Sequence, residues 1–67
     1  MKALLYLNGT LVKTVFDVKS VKFDNKYNYW ILTQKIYKHD IITIHRLKDV
    51  NKIVTVDEDG IRKEIER

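Results

Sequence analysis

Sixty-seven residues allow one domain, because each half of a divided chain would be too short to bury a core without covalent or metal staples. The absence of cysteine removes disulfide frameworks, thiolate nucleophiles and cysteine zinc sites, so stability must come from packing alone. A composition 45% apolar and 33% charged, with net charge +4, is too apolar for a disordered chain and holds no apolar run near the roughly 20 residues of a membrane span.

Met1 to Leu7 is apolar but is broken too soon by Asn8-Gly9 to serve as a secretory leader, so a cytoplasmic setting is expected. Asn8-Gly9-Thr10 matches the N-glycosylation sequon, yet the dipeptide is better read as a type I′ turn, in which both central residues take positive φ. A two-residue turn places Leu7 opposite Thr10, Leu5 opposite Val12, Ala3 opposite Thr14 and Met1 opposite Phe16 on one side, which is assigned to the core. The other side joins Tyr6 to Leu11 and Leu4 to Lys13, a more apolar patch than a solvated face usually carries.

Phe16 and Val18 keep one phase of the alternation and Val21 and Phe23 the other, so a bulge or bend is predicted at Lys19-Ser20. Such a slip lets one long strand curl and serve two sheets. Asp24-Asn25-Lys26 is predicted as a turn. Tyr27 to Tyr37, rich in aromatic and β-branched residues and free of glycine and proline, is predicted as the central strand. On that strand Tyr27, Tyr29, Lys35 and Tyr37 point one way, and Trp30, Leu32 and Ile36 the other. Ile41 to Leu47 returns across the loop Lys38-His39-Asp40, in a register that the loop length leaves open.

Ile53 to Val56 and Ile61 to Ile65 flank Asp59-Gly60, a second hairpin signal. Pairing around that dipeptide puts Val54, Val56, Ile61 and Ile65 on one side, with Asp57 opposite Arg62 and Thr55 opposite Glu64 on the other. Residues 61–67 have a helical alternative, since Ile61 and Ile65 are four apart, although seven residues are short for an unsupported helix. The expected fold is all-β: an antiparallel meander of five or six strands curled into a small SH3-like or OB-like barrel or roll, with a short C-terminal helix as the variant.

No constellation for catalysis emerges. Thr55 to Glu66 overlays a calcium loop in part, but Thr55 stands at the first position and Arg62 where an apolar anchor belongs, so a hairpin turn explains the acids better. His39 and His45 have no spacing that selects a metal. Ser20 would need a histidine, an acid and a cleft that so small a domain scarcely offers. Two glycines make no phosphate loop. The expectation is therefore a non-enzymatic protein without metal, cofactor, small-molecule substrate or membrane partner.

Charge is distributed unevenly. Residues 1–56 carry ten Lys and Arg against four Asp, and residues 57–67 carry three against five acids, giving +6 and −2. Cations recur among the tyrosines of the central strand, which suggests a face able to stack bases and hold phosphates, with Tyr27, Tyr29, Tyr37, Lys35, Lys38 and Arg46 as contacts. Only three of the thirteen cations are arginine, which argues against sequence-specific reading of DNA. The favoured expectation draws instead on apolar surplus: Tyr6, Leu11, Ile31, Ile41 and Leu47 lie on faces one small core does not reach. A protein partner or a second copy would bury them, making this an interaction module or homo-oligomer with Tyr6, Leu11, Tyr29 and Tyr37 as contacts.

Overall fold

The computed structural model describes residues 1–36, 38–39 and 41–65. They form seven strands: β1 (Lys2–Leu7), β2 (Thr10–Val15), β3 (Val18–Asp24), β4 (Tyr29–Ile36), β5 (Ile41–Leu47), β6 (Lys52–Val56) and β7 (Arg62–Ile65). All pairings are antiparallel. One sheet has the order β2-β1-β6-β7 and the other the order β3-β4-β5. The all-β expectation holds, but there are seven strands rather than five or six, and the sheets do not close into a barrel. Nor is the chain a simple meander, because β6 returns beside β1.

The first turn forms as its sequence demands, with Asn8 at φ 52° and Gly9 at φ 82°, and Leu7 pairs with Thr10 and Tyr6 with Leu11. The register then shifts. Leu5 pairs with Lys13, Leu4 with Thr14 and Ala3 with Val15, leaving Val12 as the extra residue of a bulge. Because side chains alternate with period two, one inserted residue exchanges the faces of everything after it. Val15 therefore enters the core in place of Val12 and Phe16, which are 53% and 62% exposed, and Met1 is also exposed.

Asp17, with φ 54°, turns the chain from the first sheet into the second. Just beyond it the expected slip occurs as a bulge at Lys19, between the pairs Val18–Gln34 and Ser20–Thr33. The Val18 amide donates to the Met1 carbonyl at 2.8 Å, joining the start of β3 to the start of the chain. The corner and the two bulges fold a single ribbon over on itself. The result is two stacked sheets, not a continuous wall.

Tyr27 lies in the turn rather than in β4, which begins at Tyr29, because the Asp24 carboxylate accepts from the amides of Lys26 and Tyr27 and holds residues 25–28 in a turn. The β4–β5 register runs from Trp30–Leu47 to Ile36–Ile41.

The last hairpin is displaced by one residue from its expected pairing. Val56 pairs with Arg62, Thr55 with Lys63, Val54 with Glu64 and Ile53 with Ile65. The Gly60 amide donates to the Asp57 carbonyl at 3.0 Å and the Asp57 amide to the Ile61 carbonyl at 3.1 Å, so the loop holds three residues and ends in left-handed Gly60. The Asp57 carboxylate accepts from the amides of Asp59 and Ile61, which favours this turn over a two-residue one. Ile65 consequently packs against the core while Ile61 is exposed, and Arg62–Ile65 is strand rather than helix.

The core between the sheets contains Ala3, Leu5, Val15, Val18, Trp30, Leu32, Val50 and Ile53, with Val21, Phe23, Leu47 and Ile65 at its margin. Phe23 meets Trp30 edge to face at 5.1 Å. A second cluster of Leu4, Val54 and Val56, with Tyr6 against it, lies on the outer face of the first sheet. At its margin the Lys52 ammonium sits 5.1 Å from the Tyr6 ring centre. Of the apolar patch expected around Tyr6, Leu4 is buried and Tyr6 half-buried, whereas Leu11 stands 49% exposed.

Candidate interaction face

Because Trp30 and Leu32 are buried, their neighbours Tyr29, Ile31, Thr33 and Lys35 must point away from the core, as the alternation of β4 requires. The register extends this outer face across three strands. Lys22, Ile31 and Arg46 form one row, Ser20, Thr33 and Ile44 the next, and Lys35 stands opposite Ile42. At the other end Asp24 stands opposite Tyr29, and Tyr29 lies 5.8 Å from Tyr27 at a tilt of 45°. The Lys26 ammonium is 5.3 Å from the Tyr27 ring centre.

The face is therefore a lattice of isoleucines and cations. Ile42 is 57% exposed and Ile44 53% exposed. The single acid in these rows, Asp24, is occupied by the two turn amides.

Of the residues singled out in the sequence, the structure brings Tyr27, Tyr29, Lys35 and Arg46 to this face, and places Lys38 exposed in the adjoining hairpin loop. Tyr37 lies outside the described residues. Tyr6 and Leu11 pair on the outer face of the other sheet, separated from Tyr29 by the core. Sequence reasoning did not single out Lys22, Ile42 or Ile44 as contacts. The signal for the isoleucines was present in Ile41-Ile42-Thr43-Ile44, since adjacent isoleucines on one strand cannot both face inward.

No family model, curated protein or solved structure gives a significant match to this chain.

Gln34 and His45 have structural partners. Gln34 donates through Nε2 to the Phe16 carbonyl at 2.8 Å, which fixes its amide so that Oε1 faces His45 Nε2 at 3.1 Å; the imidazole must donate in this contact. Among the described residues no group of three or more His, Asp or Glu is placed to hold a metal ion, and no helix is long and apolar enough to cross a membrane. A cleft of about 290 Å³ opens between Met1–Lys2, Phe16–Asp17 and Val56–Glu58. It presents carboxylates and an exposed phenyl ring, without a histidine or serine to pair as base and nucleophile.

Proposed function

We propose that the protein is a non-enzymatic binding module that engages another protein through the outer face of β3, β4 and β5. One observation carries the reading: Ile42 and Ile44, side chains that gain most from leaving water, stand more than half exposed beside Ile31 on a regular three-stranded surface. Burying an aliphatic side chain of this size is worth about 1.5–3 kcal/mol, so an apolar centre of this kind suits a partner surface. The cations Lys22, Lys35 and Arg46 and the ring of Tyr29 border that centre, in the pattern of apolar core and polar rim typical of protein interfaces. The proposed setting is cytoplasmic.

The test compares proteins captured from cell extract by the wild-type chain and by an Ile42→Ser/Ile44→Ser variant of equal thermal stability. A partner retained by both variants equally would overturn the reading. Sedimentation over a concentration series identifies the case in which the partner is a second copy, since a homodimer dissociates on dilution.

A second reading, non-sequence-specific binding of single-stranded nucleic acid, has its own support in the Tyr27–Tyr29 pair and the cations on the same face. Oligonucleotide titration at two salt concentrations separates the two, because phosphate contacts make affinity fall steeply with salt.

A further inference from the structure

Four strands form the edges of the two sheets: β2 and β7 of one, β3 and β5 of the other. An open edge is a template for pairing with another chain, and folded proteins blunt such edges with bulges, charges, short strands or covering segments. Three of these four are blunted. β2 carries the Val12 bulge and Lys13. β7 has four residues, of which Arg62, Lys63 and Glu64 are charged. β3 carries the Lys19 bulge, and its first amide is taken by the Met1 carbonyl.

β5 has no bulge and is not short, and a single charge interrupts it. It pairs with β4 over seven consecutive residues without a register shift, contains neither proline nor glycine, and bears one permanent charge, on Arg46. It also leaves Ile41, Ile42 and Ile44 about half exposed along its length.

We infer that β5 is a docking edge that accepts an extended acidic segment of a partner protein as a fourth strand of its sheet. The inference rests on the proposed interaction face and specifies how that face is used. Strand addition supplies affinity through main-chain hydrogen bonds and specificity through alternate side chains. On the outer face, the incoming strand would set apolar side chains beside Ile42 and Ile44 and an acid beside Arg46.

Charge selects this occupant over a second copy. Arg46 is joined across the sheet by Lys22, exposed Lys48 follows β5 with Asp49 after it, and exposed Lys38 precedes β5 with Asp40 between them in sequence, so the cations outnumber the acids by four to two. Pairing β5 with its own copy would bring a second set of these cations to one edge, whereas an acidic strand neutralises the first.

The probe is a fluorescein-labelled peptide as long as β5, alternating valine with glutamate and threonine, followed by anisotropy with the full chain. Its lysine counterpart and two versions N-methylated on alternate amides, one in each phase, complete the set. The expected result is binding of the glutamate peptide, at least about tenfold weaker binding of the lysine peptide, and loss of binding on methylation in one phase only. Arg46→Glu, checked for unchanged thermal unfolding, should reverse the preference between glutamate and lysine peptides.

Equal binding of both methylated peptides would overturn edge pairing while leaving the interaction face intact. Equal binding of the glutamate and lysine peptides, or no binding of any peptide, would overturn the acidic strand, and the capture experiment judges the face independently. A reversible dimer that the glutamate peptide does not dissociate would also overturn it, in favour of a second copy.

Discussion

The Trp30 indole N–H donates to the Val50 carbonyl at 2.8 Å inside the core, tying the middle strand of one sheet to the segment that leads into β6 of the other. The bond satisfies the one polar atom of the largest buried side chain and a main-chain carbonyl that β-pairing leaves available. Trp30→Phe keeps most of the ring but leaves that carbonyl without its donor, an expected loss of about 1–3 kcal/mol in urea unfolding. Trp30→Ala should cost about 3–5 kcal/mol, comparable with the whole stability of a domain this small. Its circular dichroism should show an unfolded chain at ambient temperature.

Val15 and Phe16 test the bulge in β2. Val15→Ala removes a buried side chain and should destabilise by about 1–3 kcal/mol. Phe16→Ser alters an exposed one and should stay within about 0.5 kcal/mol of wild type. An unbulged hairpin would give the opposite order, with Phe16 the costly position, so thermal or urea unfolding of the two variants decides the register.

These two residues also show where the sequence was legible and where it was not. Asn8-Gly9 dictated a turn because few residues tolerate successive positive φ angles, and the Lys19 bulge was visible as a break in hydrophobic parity. The Val12 bulge left no such mark, because Leu11, Val12, Val15 and Phe16 offer apolar residues in either phase. Closure was also beyond reach: whether β5 finds a neighbour depends on contacts remote in sequence, which alternation along one strand does not encode. Tyr29 and Lys35 were assigned to one face from strand periodicity, whereas Arg46, Ile42 and Ile44 needed the β4–β5 register to be placed there.

Gly60 and Asp57 govern the final hairpin. Gly60 holds φ 79° with open space around it, so Gly60→Ala meets no atom and its cost is that of left-handed backbone, about 1–2 kcal/mol. Asp57→Ala removes the acceptor of the Asp59 and Ile61 amides; both groups then turn to water, and the expected loss is about 1 kcal/mol. Combining the substitutions should give less than the sum, because both act on one turn. Hydrogen exchange at Lys63 and Ile65, the β7 amides that face β6, should rise in each variant while the amides of β4 stay protected.

Ile44 and Arg46 separate the apolar and electrostatic contributions of the interaction face. Both point outward from β5, so Ile44→Ser and Arg46→Ala should each change unfolding free energy by less than about 0.5–1 kcal/mol. Their effects on binding should differ in kind. Removing Ile44 deletes apolar area from the centre of the contact, which shortens the lifetime of a protein complex and leaves its salt dependence unchanged. Removing Arg46 lowers the association rate and flattens its dependence on ionic strength, as expected for a cation that steers an acidic partner. Were nucleic acid the ligand, Arg46→Ala would reduce the slope of log affinity against log salt by about one contact, Tyr29→Ala would weaken binding by about 1–3 kcal/mol, and Ile44→Ser would have little effect. Stopped-flow binding at two ionic strengths with these three variants therefore distinguishes a protein-binding face from a nucleic-acid one by which side chain controls which rate.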